Sequence, residues 1–392
     1  MNKVKLGQAV DILDYKRMPV SSAERANREK VYPYYGAQGV VDYIDDYIFD
    51  GEYVLVAEDG NNLKSLSEPI VTWATGRFWV NNHAHIIGDN GTADIRYVYY
   101  YLMASDLRGL ITGSAQPKLN QENLASFELE LPDREAQVKT AEVLRSVDDK
   151  IALNKKMMTE LEDTARLIYD YWFTQFDFPD ENGRPYRSSG GKMVYDETLN
   201  REIPEGWEAG TLSNLAAYGE RSIGNSLLTT NTYVSTDNML PNRGGVLESQ
   251  YLSDAGSSNM FERRDILLSN IRPYFKKIWL ADRVGGCCND VLVLHPTNID
   301  DWAYLYWTVE SDIFFAYDTA GAKGSKMPRG DKDHIMRYPF ALPPIQLRTS
   351  FAEQVSSLMT AEEKLQAEST QLSSLRNWML PMLMNGQVII DA

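Results

Sequence analysis

The residues of this chain that could do covalent or acid–base chemistry are few and badly placed for it. Its four histidines are His83, His85, His295 and His334. His83 and His85 alternate, so on a strand they would share one face. Two imidazoles with no neighbouring carboxylate or cysteine cluster make a weak case for a metal site, and no metal ligand is expected. Cys287 and Cys288 are adjacent, which rules out a disulfide framework or a spaced metal site; they read as small buried residues of a strand. No GxxxxGK[ST] run appears, no GxGxxG follows a strand, and no GxSxG elbow is found. The carboxylates of Asp45, Asp46, Glu58 and Asp59 read as acidic loops on a solvated face. No catalytic residue is assigned, and the chain is expected not to be an enzyme in itself.

The chemistry that remains is recognition of a polyanion. A net charge of −16 argues against it, because phosphate contacts need Lys and Arg. The cations are, however, locally dense. FERRDILLSNIRPYFKKIWLADR, residues 261–283, holds six basic residues to three acidic, with Arg272, Tyr274, Lys276 and Lys277 around Pro273. GAKGSKMPRGDKDHIMR, residues 321–337, holds five to two and brings Lys323, Lys326 and Arg329. In the first half, EDGNNLK offers Asn61, Asn62 and Lys64, TGRFW offers Arg77, and GSAQPKLNQ offers Gln116, Lys118 and Asn120. Arg and Lys pair with guanine edges or phosphate, and Asn and Gln with adenine.

Such residues need elements to place them, and the chain supplies these twice. Leu124, Phe127, Leu131, Pro132, Ala141 and Glu142 match Ile335, Tyr338, Leu342, Pro343, Ala352 and Glu353, all 211 positions apart. Upstream, Phe49 aligns with Phe261, Asn82 with Asn289, Tyr97 with Tyr304 and Leu6 with Leu212. Each copy has a head with short apolar runs bounded by turn residues, as strands are. A long helical tail follows. In the first tail Leu144, Val147, Ile151, Asn154, Met158 and Leu161 alternate in steps of three and four, a heptad seam with one polar member that can fix register. In the second, Phe351, Leu358, Leu365, Leu372 and Met379 fall seven apart, with Leu375 and Met382 added to the stripe. Forty helical residues reach about 60 Å, and a narrow seam of that length needs a partner helix.

The expected fold class is α+β: two tandem mixed α/β heads separated by two long antiparallel coiled-coil helices, with pseudo-two-fold symmetry. The expected domains are a first head over 1–132, a spacer helix over 133–173, a Pro-, Gly- and Ser-rich linker over 174–206, a second head over 207–343 and a second spacer helix over 344–385. Hydrophobic residues at 43% and charged residues at 24% fit a globular chain, not a disordered one. MNKVKLGQAVDIL has no signal-peptide core, and no apolar run is long enough to span a membrane, so a cytoplasmic location is expected.

YPYYGAQGVVDYIDDYIFDGEYVLVAEDG over 32–60, which contributes Tyr35 to the candidate contacts, NNHAHII, GSAQPKLNQENLASFELELP and GGKMVYDETLNREIPEGWE over 190–208 resemble the specificity subunits of type I restriction–modification systems. The resemblance implies two target-recognition domains, each reading one half of a split site on double-stranded DNA, and helices that set the gap. It implies assembly with two methyltransferase subunits, which methylate adenine from S-adenosylmethionine, and with two restriction subunits when the complex cleaves. S-adenosylmethionine, ATP and Mg are expected on those partners and no cofactor on this chain. Two other readings stay open: a DNA-modifying enzyme, for which an NPPY motif is missing, and an acidic scaffold or DNA mimic, suggested by the net charge.

Overall fold

The computed structural model describes residues 2–60, 62–65, 69–113, 116–388 and 390, without the side chains of Lys64 and Ser65. Contacts divide the chain into two units: Met1–Asn154 with Glu368–Ala392, and Lys155–Ala367.

The first unit runs β1 (Asn2–Lys5), α1 (Leu6–Ala9), β2 (Val10–Ile12), α2 (Ser22–Arg25), β3 (Tyr32–Gly36), β4 (Gly39–Ile44), β5 (Phe49–Ala57), α3 (Asn62–Ser65), β6 (Val71–Val80), β7 (Ala84–Asp89), α4 (Ile95–Ala104), α5 (Gln121–Ser126) and β8 (Glu128–Leu131), and then enters α6 (Arg134–Tyr169). A six-stranded sheet has the order β2-β7-β5-β6-β3-β4, with β3 parallel to β6 and the other neighbours antiparallel. The run Val54–Ala57 is buried throughout because both faces of β5 are covered. Val54 and Val56 pack with Tyr97 and Val98 of α4, whereas Leu55 packs with Phe49, Phe78 and Ile86 on the other side. β1 and β8 pair where the head meets its helix.

The second unit contains β9 (Met193–Asp196), β10 (Arg201–Pro204), β11 (Glu208–Thr211), β12 (Ala216–Tyr218), β13 (Ser222–Gly224), β14 (Tyr233–Val234), β15 (Ser257–Phe261), β16 (Ile266–Ser269), β17 (Ile278–Leu280), β18 (Gly285–Cys287), β19 (Val291–Pro296), α7 (Trp302–Glu310), α8 (Asp312–Gly321), α9 (Lys332–Met336) and β20 (Pro339–Leu342), followed by the start of α10 (Ile345–Met384). The order β12-β19-β16-β17 matches β2-β7-β5-β6, and the pair β11-β20 matches β1-β8. Ile266 and Leu268 face one core cluster and Leu267 another, as in β5. The two heads diverge beyond that. β3 and β4 extend the first sheet, whereas β13-β15-β18-β14 form a separate sheet in the second head.

The segment 174–206, expected as a linker, is folded. Phe178 stacks on Tyr186 and Trp207 at ring centroid distances of 4.6 and 5.4 Å, and β9 pairs with β10. Phe176, Ile203 and Trp207 are buried in the main core of the second unit. Its Pro, Gly and charged residues occupy the turns between these aromatic anchors, which is why composition alone reads as linker.

Within each unit the two long helices contact one another with opposite chain direction. In the first, the Asp148 carboxylate accepts from Arg376 at 2.7 Å, and Asn154 Nδ2 donates to Glu368 Oε2 at 2.8 Å and to Ser369 Oγ at 3.3 Å. Leu144 is buried, Val147 and Ile151 are half-buried, and Asn154 is wholly buried. Asp148 also accepts the Tyr100 hydroxyl at 2.7 Å, which ties α4 to the helix pair. In the second unit Phe351 is fully buried among Tyr169, Trp172 and Phe173, with Phe173 at 5.0 Å. Met158, Leu161, Leu358 and Leu365 are half-buried there, as are Leu372 and Met379 in the first unit. Leu375 is a correction: it is exposed, and the neighbouring Arg376 turns inward instead. The stripe on α10 repeats every seven residues because Glu362, Ser369 and Arg376 take intervening positions; burial raises the Glu362 carboxyl to about 7, and Glu162 adds to the rise.

Phe351→Ala removes a large side chain from a close-packed aromatic cluster. It is expected to destabilise the protein by about 3–5 kcal/mol, read as a lower denaturant midpoint at unchanged slope.

Candidate nucleic-acid interface

Both heads suspend one loop from the same place. In the first, β5 ends at Ala57 and the next carbonyl, of Glu58, accepts the Leu119 N–H at 2.8 Å. Thr112 and Lys118 exchange two backbone hydrogen bonds, each of 2.8 Å, and the Asn120 side chain caps α5 by accepting from Asn123 N at 2.7 Å. In the second, β16 ends at Ser269 and the Asn270 carbonyl accepts the Gly330 N–H at 3.0 Å. Lys323 and Arg329 exchange backbone bonds of 2.8 and 2.9 Å, and Asp331 caps α9. Thr112, Lys118 and Asn120 thus play the parts of Lys323, Arg329 and Asp331, at the 211-residue separation of the repeat.

Of the first head's candidates, Gln116 and Lys118 are exposed on this loop. Lys118 Nζ lies 2.9 Å from Glu58 Oε1, and the carboxylate also takes Arg17 at 2.5 Å. Arg77 is exposed on β6, paired with Asp50 at 3.1 Å. Asn62 is a correction: it is fully buried, and its amide donates to the carbonyls of Ala37 and Pro69, so it braces the loop and offers nothing to a base. Tyr35 is a second correction. It is half-buried, edge-on to Phe78 in the core, because its strand is internal to the sheet. Asn61 and the side chain of Lys64 lie outside the described residues.

In the second head the turn 272–276 stands against the 323–329 loop: Arg272 N donates to the Pro328 carbonyl at 2.8 Å, and Ile271 bridges Arg329. Arg272 and Lys276 both adopt positive φ, 52° and 51°, which costs a side-chain-bearing residue energy and marks a held conformation. Tyr274 and Met327 are about half exposed, and Lys326 is exposed. Lys276 and Lys277 are corrections as free cations. Lys276 Nζ is 2.7 Å from Asp312, and Lys277 Nζ donates to the Thr236 carbonyl at 2.6 Å, its pKa lowered by burial. Lys323 pairs with Asp331, and Arg329 with Asp290 at 3.0 Å. Exposed pairs of this kind are worth at most about 1 kcal/mol.

Two features were illegible in the sequence. The first is the cluster of Asp14, Glu58 and His85, whose ligand-type atoms lie within 4.8 Å of one another. His85 therefore does have carboxylate neighbours, delivered from 71 and 27 residues upstream. Glu58 is buried rather than part of a solvated loop. The cations of Arg17 and Lys118 already compensate these charges, which disfavours a metal ion there. His83 lies outside β7 and bonds Asp59 at 2.8 Å, so the two imidazoles have separate environments. The second is Asp318 beside Gly330. Asp318 is buried with both carboxylate oxygens lacking a hydrogen-bond partner, and Asn270 Oδ1 lacks one too. A Cβ on Gly330 would stand 2.6 Å from Asp318 Oδ1 and 2.8 Å from Asn270 Oδ1, so glycine alone fits.

Each head is thus a mixed α+β domain with a polar loop bearing cations at the end of a central strand. Residues 1–163 match the family model of the type I restriction modification DNA specificity domain. Over 139 residues it is 32% identical to a putative type I restriction enzyme specificity subunit of Haemophilus influenzae, matching 36% of this chain and 35% of that protein. The matched segment is thus about a third of that relative's length. The type I restriction enzyme EcoDI specificity subunit of Escherichia coli is 20% identical over 98% of this chain and 88% of its own. The crystal structure of an S subunit from M. genitalium shares the fold over 100% of this chain and 96% of its own, with a TM-score of 0.56 at 15% identity.

Burial raises the Asp318 carboxyl from 3.8 to about 7. Between those values the unfolded chain loses its proton while the folded one keeps it, so stability falls as pH rises across that window. Asp318→Asn removes the penalty. It is expected to flatten this part of the pH–stability curve and to stabilise the protein at pH 8 by on the order of 3 kcal/mol, measured by urea titration at pH 5 and pH 8.

Proposed function

We propose that this chain is the sequence-specific DNA-recognition subunit of a type I restriction–modification complex. Each head reads one half of a bipartite site, and the chain directs partner methyltransferase and motor-nuclease subunits to it. One observation carries the reading: the same loop is hung at the same strand end in both heads but displays different side chains, Gln116 and Lys118 in one, Lys326, Met327 and Arg329 in the other. A shared scaffold with different tips is what reading two different half-sites requires. The long helices, with polar contacts at Asp148–Arg376 and Asn154–Ser369 in the first unit, serve in this reading as the element that sets the gap.

The net charge of −16 and the pairing of most candidate cations favour a second reading, an acidic scaffold for restriction–modification components. The two readings part on DNA. The experiment maps methylated adenines in cells carrying this chain and its methyltransferase, then repeats the map after exchanging the first head alone. A change confined to one half of the motif is expected; no change, or loss of both halves, contradicts the division of labour.

The isolated chain is expected to bind random-pool duplex weakly, and the methyltransferase-bound form tightly. Lys326→Ala in the assembled form is expected to reduce the slope of log K against log salt by about 1 if the side chain meets a phosphate. An unchanged slope takes Lys326 off the contact surface.

A further inference from the structure

We propose that His85 is a positioning residue for the reading loop of the first head, holding the loop exit to the sheet through the Leu119 carbonyl. The inference rests on the reading of that loop as DNA-facing. His85 is buried on β7. Its Nε2 lies 2.8 Å from the Leu119 carbonyl oxygen and its Nδ1 2.5 Å from Asp14 Oδ2. A carbonyl only accepts, so Nε2 carries a proton and donates to it. Asp14 Oδ1 accepts Ile86 N at 3.0 Å, and its Oδ2 lies 3.4 Å from the Arg17 guanidinium. The ring thus spans the Leu119 carbonyl on one side and the Asp14 carboxyl on the other. The charged groups around it are Asp14, Glu58, Arg17 and, through Glu58, Lys118.

The bond falls at the point of greatest effect. Leu119 follows Lys118 directly and precedes Asn120, the cap of α5. Its side chain is fully buried and its N–H goes to Glu58. With both backbone polar groups of one residue fixed, the loop leaves the sheet in one direction, and the tip bearing Gln116 and Lys118 inherits that direction. The second head lacks the device. Opposite Leu268, where His85 stands opposite Val56 in the first head, it has Leu292, and Gly330 replaces Leu119. Loss of the clamp therefore touches one head only.

Two variants separate positioning from bulk structure. The terminal amide of Gln in His85→Gln can reach where Nε2 sits and donate to Leu119; the shorter amide of His85→Asn can replace only Nδ1. Amide hydrogen exchange is measured on the full chain. In His85→Asn the amides of Thr112, Lys118 and Leu119 are expected to exchange at least about tenfold faster, the scale of one buried hydrogen bond, with Val54–Val56 unchanged and near-native rates restored in His85→Gln. Equal behaviour of the two variants, or equal acceleration at Val54–Val56, overturns the clamp. The adenine-methylation map of His85→Asn cells then tests the underlying reading. Relaxation at one half-site supports both ideas. A freed loop with an unchanged map leaves the clamp standing and removes the loop from DNA reading.

Discussion

A strand that ends inside a covered sheet must pass its last polar groups to a partner, because an unpaired buried carbonyl costs as much as a lost hydrogen bond. In this protein that obligation is met twice by the same means. The carbonyl after β5 takes the amide of Leu119, and the carbonyl after β16 takes the amide of Gly330. The loops that end at these two amides cannot drift from the ends of the central strands. They close on themselves through one pair of backbone bonds and run at once into a capped helix. Their side chains are free to differ because none of these bonds involves a side chain except the cap.

The same separation of backbone from side chain explains how an acidic chain can present cations at all. Most of the candidate Lys and Arg residues sit in ion pairs, some with exposed or half-buried carboxylates such as Asp312 and Asp290. The pairs hold long side chains near the loops without giving the isolated surface a strong positive field. In the proposed DNA-reading role, exchange of a carboxylate for a phosphate would proceed at nearly constant charge compensation, so affinity would depend on how many such exchanges occur together.

Much of this could be read from the residues. The repeat was legible because core positions such as Phe49 and Phe261, or Tyr97 and Tyr304, must keep their chemistry for the same strand and helix to pack. The heptad steps through Leu144 and Ile151 were legible for the same reason. The parts that escaped depend on long-range approach. No local pattern announces that Asp14 and Glu58 flank His85, or that Asp318 lies under Gly330. Asn62 looked available because its neighbours are polar, yet the turn needs its amide inside. On α10, the sevenfold stripe hid its own polar half: Glu362 and Arg376 are as inward as the leucines, and charge in a sequence argues for the outside.

The folded stretch between Phe176 and Trp207 carries a consequence for ancestry and engineering. A joint drawn from composition would fall near residue 206, where the chain looks like a tether. Phe176 and Ile203 lie in the same core as Trp207, so a recombinant cut there would seal one parent's aromatics beneath another parent's sheet. Exchangeable modules in this architecture are bounded by shared interiors, and natural shuffling that respects them must break the chain within the helix, upstream of the aromatic cluster.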